Sequence, residues 1–232
     1  MMCQQELFLL QCLSIKKMDS LVIQIGSQNA KQVVVLLHGL GADKHDLVPM
    51  AKWLLEQNPN LAFIMSQAPQ RPVAYLDGLV ANAWFDLPAK IEPKSAWDQA
   101  GMVQSFQAVD ALFASMPDVT CRAVVGFSQG GALAALYGRW TELAINQVGV
   151  LSGFIPEVPW HQLARNDQHL SFFQSHGKQD GVVLLPAAQA SKSLIQEKYP
   201  ISYHEFDGAH EIPQSILEQL SGWLATSVCE SG

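Results

Sequence analysis

Residues 123–136 read AVVGFSQGGALAAL, and this stretch decides the fold class. The apolar run Ala123–Val125 has the composition of a buried strand, and Ala132–Leu136 that of a helix. Between them lies Gly126–Gly130, a G-x-S-x-G sequence that is followed by Gly131. A strand, a glycine-bounded turn and a helix in this order are typical of a parallel sheet that is covered by helices.

Ser128 occupies the middle of this turn. A sharp strand-to-helix turn lifts the serine hydroxyl above the sheet edge, and its strained backbone tolerates only very small residues two positions to either side. The following helix directs its positive end toward the same place, where it stabilises developing negative charge. We therefore interpret Ser128 as a nucleophile. The pattern also occurs by chance, so a glycine-rich turn whose serine only caps the helix is the alternative.

Apolar runs of strand length alternate with longer segments of helical spacing along the rest of the chain. The predicted strands are Leu21–Ile25, Val33–Leu37, Leu61–Ser66, Ala123–Phe127, Val148–Ser152, Leu170–Ser175 and Ile201–Phe206. The predicted helices are Asp46–Gln57, Trp97–Ser115, Gln129–Trp140, Pro186–Lys198 and Pro213–Thr226. Several strands are apolar at every position, as expected when both faces of a sheet are covered. The pattern predicts an α/β fold with a mostly parallel central sheet of about seven strands and helices on both faces.

The stretch from Gln67 to Ser95 interrupts this alternation with several prolines and the aromatic pair Trp84–Phe85. Long irregular segments inside compact domains are often binding loops or lids. A surface excursion held down by one buried aromatic side chain is an equally good interpretation.

The chain has 232 residues, of which 49% are hydrophobic and 15% charged. That length suits one α/β domain, which we place at residues 19–232. The net charge is −7, and no run of like charges is present. This balance argues against a nucleic-acid partner and against a polybasic membrane patch.

The apolar stretch Glu6–Ile15 resembles the core of a signal peptide. However, no basic residue precedes it, whereas Lys16 and Lys17 follow it, and the stretch is too short to span a bilayer. We favour the interpretation that residues 1–18 are an extension outside the core, and we expect no stable membrane insertion.

Four cysteines are present: Cys3, Cys12, Cys121 and Cys229. Their spacing matches no metal-binding pair, and they are too few for a disulfide scaffold. We expect reduced thiols and a cytoplasmic protein.

A serine nucleophile needs a base, and in this fold the order along the chain is Ser, then Asp or Glu, then His. Two histidines, His204 and His210, lie near the end of the chain. His204 is inside the predicted strand Ile201–Phe206 and is expected to be structural. His210 follows that strand in a turn, which is where a catalytic base is presented, so we predict His210 as the general base.

The orienting carboxylate is predicted at Asp180. It follows the strand Leu170–Ser175 and therefore lies at the carboxyl edge of the sheet. Asp167 precedes that strand and is expected at the opposite edge, whereas Asp207 is expected to be a turn residue. An aspartate in a glycine-rich turn is ordinarily structural, so the prediction depends on position and order alone.

The backbone N–H groups of Gln129 and Leu40 are the predicted oxyanion donors. The first follows the nucleophile, and the second lies in the loop after an early strand, where Gly39 and Gly41 give the backbone freedom to aim it. His38 stands alone before the serine, so we expect it to close the strand end by hydrogen bonding. The sequence contains no cluster of metal ligands, so we do not expect metal catalysis.

Taken together, these motifs resemble the carboxylesterase and acyl-protein thioesterase branch of the α/β-hydrolases, the phospholipase/carboxylesterase family. The matching segments are His38–Asp43, Gln67–Pro69, Arg71–Val73, Ala83–Asp86, Gly126–Ala132, Leu151–Gly153, His176–Asp180 and Gly208–Glu211. The resemblance implies an α/β-hydrolase fold, the triad Ser128, Asp180 and His210, and the oxyanion donors Leu40 and Gln129. It also implies cofactor-free hydrolysis of carboxylic esters or thioesters with an apolar acyl chain.

An apolar acyl slot is predicted near the carboxyl edge of the sheet. The candidate substrate-binding residues are Leu76, Leu79, Trp84, Phe85, Phe154, Ile155 and Val182. The alternative is that about half of them only pack the loops down. The segment Val73–Ala83 lacks the Pro-Ser common in the family just before the tryptophan, which bears on acyl selectivity.

Two other functions remain open at this point. A peptidase or lyase can use the same scaffold and triad, and an inactive acyl- or lipid-binding module can share the fold. A small ester or an acylated molecule is the expected partner, and an apolar lid rim also suits a homodimer.

Overall fold

A computed structural model of the chain describes residues 21–27, 29–92, 95–116, 118–158 and 170–226. The extension predicted at residues 1–18 lies outside the described residues, and so does Asp167. The domain limits therefore stay a prediction.

A seven-stranded sheet forms the centre of the molecule. Its strands are β1 (Val22–Gly26), β2 (Gln32–Leu37), β3 (Leu61–Ser66), β6 (Cys121–Phe127), β7 (Gln147–Leu151), β8 (Ser171–Gly177) and β9 (Ile201–Phe206). The spatial order is β1-β3-β2-β6-β7-β8-β9. Only the β1–β3 pair in this sheet is antiparallel. The predicted mostly parallel sheet is confirmed, with strand limits that differ from the predicted ones by at most two residues.

Within the described residues, five helices cover the sheet: α1 (Val48–Gln57), α2 (Gln99–Ala114), α3 (Gln129–Trp140), α4 (Leu185–Gln196) and α5 (Gln214–Ala225). Successive residues of a strand point to opposite faces. In β2, Val33, Val35 and Leu37 pack in the core that α2, α3 and α4 cover, whereas Val34 and Leu36 pack in the core under α1 and α5. Both faces are thus buried, which explains the uninterrupted apolar runs in the sequence.

The stretch after β3 contains a small hairpin that the sequence pattern does not reveal. Strand β4 (Gln70–Val73) pairs antiparallel with β5 (Leu79–Asn82), and a 3₁₀ turn at Ala74–Leu76 lies between them. Asp77 and Gly78 close the turn with φ angles of 53° and 81°. The strands are only four residues long and one contains a proline, so their alternation is too short to recognise.

Cys121 begins β6, where it is buried and disulfide-bonded. The other three cysteines lie outside the described residues. This bond corrects the expectation of reduced thiols, which was based on sequence spacing and could not show which cysteines meet in space. The cytoplasmic location stays a prediction. In the described part of the chain, no helix is both long enough and apolar enough to cross a membrane.

Candidate active site

The turn between β6 and α3 holds Ser128 in a strained conformation, with φ 53° and ψ −118°. Its backbone N–H donates to the Leu151 carbonyl at 2.9 Å. A Cβ atom on Gly126 would overlap the Gly130 backbone, and one on Gly130 would overlap the Leu37 carbonyl oxygen. The glycines of the motif are therefore required by packing, and the predicted sharp turn is present.

His210 lies in the turn between β9 and α5. Its Nδ1 is 2.7 Å from Asp180 Oδ2, and its side chain is 17% exposed. Because a carboxylate can only accept, Nδ1 carries the proton and Nε2 of the neutral ring is left as an acceptor. The ring centroid is 4.8 Å from that of Phe127, the residue before Ser128. The imidazole therefore stands beside the serine turn with its basic nitrogen unused by Asp180.

The Asp180 carboxylate is fully buried, in the turn after β8. Its Oδ1 accepts hydrogen bonds from the backbone N–H groups of Val182 at 2.8 Å and Val183 at 2.9 Å. Burial raises the pKa of Asp180, but the hydrogen bonds from His210, Val183 and Val182 outweigh that effect, so the pKa lies below its usual value. The site thus holds a charged carboxylate against the imidazole.

A second histidine lies under the carboxylate. His176 is fully buried, and its Nε2 is 2.7 Å from the Val183 carbonyl oxygen and 3.3 Å from Asp180 Oδ2. Its Nδ1 has no hydrogen-bond partner within the described parts of the chain. Nε2–H therefore donates to Val183 and faces the same carboxylate oxygen that His210 uses.

The loop after β2 packs on the serine turn. A Cβ atom on Gly39 would lie 3.3 Å from the Phe127 ring and 3.5 Å from Ser128 Cβ. The N–H of Gly41, which has φ 78°, donates to the Asn82 carbonyl at 2.9 Å. The Asn82 side chain returns a bond to the Ala42 carbonyl at 2.8 Å. The hairpin therefore fixes the loop that carries Leu40, a partly buried residue in contact with the core.

His38 has a structural role in this loop. Its Nδ1 donates to the Gly39 carbonyl at 2.8 Å, and its Nε2 accepts from the Ala68 N–H at 3.1 Å. Burial lowers the pKa of His38, although the Gly39 bond acts in the opposite direction. The expected hydrogen-bonding role at the strand end is confirmed.

The Gln129 side chain makes contacts that the sequence does not predict. It is buried, its Oε1 accepts from the Trp84 backbone N–H at 3.0 Å, and its Nε2 donates to the Phe85 carbonyl at 2.8 Å. The Trp84 indole N–H donates to the His38 carbonyl at 2.8 Å. The predicted oxyanion donor therefore also ties the end of the hairpin to the serine turn through its side chain.

The predicted acyl-binding residues fall into two groups. Trp84, Phe85, Phe154 and Ile155 are buried in the core, whereas Leu76 is partly buried and packs against it. Leu79 and Val182 are 69% and 64% exposed. For Trp84 and Phe85, core packing and hydrogen bonds account for the positions of these residues. This agrees with the alternative that some of the candidate residues only pack the loops down. Contact of the exposed residues with substrate stays a prediction.

Three positioning residues are not among the residues predicted from the sequence: Ser152 and Asp86, which lie in the motif segments, and Asp98, which lies outside them. Ser152 has φ 47° and its hydroxyl donates to the Glu211 carbonyl at 3.0 Å, next to His210. Asp86 accepts from the Ala74 N–H at 2.7 Å and so fastens the hairpin. Asp98 accepts from the Asp86 N–H at 3.0 Å and pairs with Arg71 at 3.1 Å. For Ser152 and Asp86, a polar residue inside a largely apolar motif was the available signal; for Asp98 no motif was available.

A glycine-bounded serine at a strand-to-helix turn, on a mostly parallel sheet with an Asp–His pair after its last strands, defines the α/β-hydrolase class. The family model described as Phospholipase/Carboxylesterase matches residues 18–228. The chain belongs to this family, which confirms the resemblance seen in the sequence.

The named relatives include thioesterases and carboxylesterases. The chain is 31% identical over 173 residues to acyl-protein thioesterase 1 of Cryptococcus neoformans, an alignment that covers 71% of this chain and 73% of the relative. It is 25% identical over 205 residues to carboxylesterase SOBER1 of Arabidopsis thaliana, covering 84% and 90%. The crystal structure of SOBER1 superposes with a TM-score of 0.76 at 24% identity, covering 85% of this chain and 99% of the other.

Proposed function

We propose that the protein hydrolyses carboxylic esters or thioesters that carry an apolar acyl chain, with Ser128 as nucleophile, His210 as general base and Asp180 as the carboxylate that orients it. Family membership and relatives named as acyl-protein thioesterase and carboxylesterase support ester or thioester hydrolysis. The assignment of the triad depends on the geometry of the site.

The 2.7 Å bond from His210 Nδ1 to the buried Asp180 carboxylate carries this proposal. A neutral imidazole held in this way presents an unprotonated Nε2 as a base. The Phe127 ring lies 4.8 Å from the His210 ring at a tilt of 44°, and Phe127 directly precedes the strained Ser128, which supports this pairing of base and nucleophile. A histidine with a buried carboxylate partner, next to a strained serine, is a candidate for a functional group.

In the proposed reaction, Ser128 Oγ attacks the acyl carbonyl carbon while His210 Nε2 takes the hydroxyl proton. The carbonyl oxygen becomes an oxyanion that the backbone N–H groups of Leu40 and Gln129 stabilise, together with the N-terminus of α3. The imidazolium then returns the proton to the departing alcohol or thiol, which leaves an acyl-enzyme. Water, deprotonated by His210, attacks that ester and releases the carboxylic acid and free Ser128.

Exposed apolar side chains support an apolar acyl group as the substrate. Tyr75, Leu79 and Val80 on the hairpin and Val182 and Leu184 after β8 are between 48% and 69% exposed. These segments follow or contact the loops that carry Asp180 and Leu40, so an acyl chain bound at Ser128 can cover part of this surface. Covering such surface stabilises binding by about 25 cal/mol for each Å² removed from water.

Ser128→Ala tests the proposal directly. We expect labelling by a fluorophosphonate probe to disappear and hydrolysis of p-nitrophenyl esters to fall by about 10³-fold or more, because the covalent step is lost. The matched control is Ser193→Ala, on the exposed face of α4, which should keep both readouts. Full ester turnover by Ser128→Ala would refute the assignment, and a wild-type protein that binds acyl chains without labelling would be an inactive binding module.

A further inference from the structure

A cavity of about 450 Å³ opens between the start of α1 and the start of α5. Its apolar lining consists of Leu47, Pro49, Met50, Trp53, Phe127, Ile212 and Leu217. The volume is that of an ordinary small-molecule site. None of the residues predicted to bind the acyl chain lines it, so the acyl group does not account for this cavity.

Two contacts connect the cavity to the candidate triad. The Phe127 ring forms one wall and has its centroid 4.8 Å from that of the His210 ring. Ile212, another wall, is two residues after His210 in the same turn. The Phe127 ring also faces Gly39 in the loop that carries Leu40, where a Cβ atom on Gly39 would lie 3.3 Å from the ring. The cavity therefore lies on the imidazole side of the serine turn.

The reaction places one part of the substrate on that side. The imidazolium must give its proton to the departing oxygen or sulfur, so the leaving group lies against His210 during acylation. The rest of the leaving group then lies near this ring, and Phe127 packs against the same ring. The apolar part of the leaving group needs an apolar protein surface in order to be bound.

The charge of the lining restricts which leaving group fits. Asp46 and Gln214 are the polar residues of the lining, and no lysine or arginine is among them. A carboxylate without a cationic partner disfavours an anionic group nearby. The lining thus favours an uncharged or cationic ligand with an apolar body.

We propose that this cavity is the leaving-group subsite, and that it takes the apolar, non-anionic body of the alcohol or thiol from which the acyl group is removed. This inference rests on the proposed function of Ser128 and His210. The acyl chain and the leaving group then occupy different surfaces, and each can be selected independently.

Three octanoyl esters test the proposal: the methyl, benzyl and 4-carboxybenzyl esters. They form one acyl-enzyme, so they differ only before the leaving group departs, and kcat/KM reports that stage. In Leu217→Trp the indole fills the cavity, and we expect kcat/KM for the benzyl ester to fall about tenfold while the methyl ester changes less than twofold. Leu21→Trp, the same change at an exposed leucine outside this cavity, should leave both values unchanged.

Asp46→Asn provides a second variant at an exposed position, where folding is not at risk. We expect the 4-carboxybenzyl ester to gain about threefold in kcat/KM relative to the benzyl ester, because a repulsive charge is removed. Unchanged ratios in both variants would overturn the subsite, as would a Leu217→Trp effect on acyl-chain length instead of the leaving group. If the wild-type protein hydrolyses none of the esters, the proposed function itself fails.

Discussion

Replacing Asp180 by asparagine separates the chemical role of this side chain from its structural role. The carboxylate accepts bonds from the N–H groups of Val182 and Val183 at 2.8 and 2.9 Å, and from His210 Nδ1 at 2.7 Å. An asparagine carbonyl keeps the two backbone bonds. Its NH₂ group, however, replaces the acceptor that faces His210. We therefore expect the fold to survive while the imidazole loses its correct tautomer.

The size of the effect follows from these bonds. With an amide donor opposite it, His210 Nδ1 must accept, so the proton moves to Nε2, the nitrogen that has to receive the Ser128 proton. The same change in serine-protease triads lowers kcat by about 10⁴-fold. One bond to a charged group is lost from the folded state, which lowers the free energy of unfolding by about 1.5–3 kcal/mol. Activity should thus fall far more than stability.

The assay combines kcat for a p-nitrophenyl ester with denaturant unfolding of the same samples. Asp180→Ala should lose activity as well, and its stability should fall by a further 1–3 kcal/mol or so for each of the two backbone N–H groups left unpaired. Asp207→Asn is the matched control, because Asp207 is exposed and pairs with Lys178. An Asp180→Asn variant within tenfold of wild-type kcat, or an inactive Asp207→Asn variant, would refute the triad as assigned.

Three further predictions concern single positions. Gly130→Ala forces a methyl group against the Leu37 carbonyl and should destabilise the protein by about 3 kcal/mol or more. Gly222→Ala, at an open position in a helix, should stabilise it by about 0.5–1 kcal/mol. The midpoints of denaturant unfolding of the two variants and the wild type measure both effects. Burial lowers the pKa of His38, so the folded state binds fewer protons than the unfolded chain. The free energy of unfolding should therefore fall as the pH drops below about 6.5. His38→Gln should weaken this pH dependence, whereas the control His45→Gln should not. His176→Phe should lower kcat about tenfold with little change in KM. His176→Gln keeps an N–H donor and should recover part of the lost kcat. Equal kcat values for the two variants would contradict the hydrogen-bonding role of His176.

Local patterns were sufficient to predict the sheet and to select the candidate site residues. Continuous apolar runs mark strands that are buried on both faces, and the glycines around Ser128 mark a turn that tolerates no Cβ atom. Chain order and position after a strand selected Asp180 and His210, and the structure places their side chains 2.7 Å apart. Each of these inferences uses neighbours in the sequence or the general geometry of parallel sheets.

The hairpin and the supporting hydrogen bonds required contacts between distant residues. Asn82 binds the loop at Gly41 and Ala42, some forty positions away, and nothing in the residues around Asn82 indicates that partner. Gln129 was predicted for its backbone N–H, yet its buried side chain holds the backbone of Trp84 and Phe85. Such pairings depend on how the loops meet in space, and a single sequence does not show which loops are in contact.

The serine and histidine turns are joined by a continuous set of hydrogen bonds through β7 and β8. The Ser128 N–H donates to the Leu151 carbonyl, the Ser152 N–H donates to the Ser175 carbonyl, and the Ser152 hydroxyl donates to the Glu211 carbonyl beside His210. The three acceptor carbonyls lie at the end of β7, within β8 and in the loop after β9. Because Ser152 is fully buried and adopts φ 47°, it has little freedom to relax. Strand packing and this one side chain therefore connect the Ser128 turn to the His210 turn, although the two turns come from distant parts of the chain.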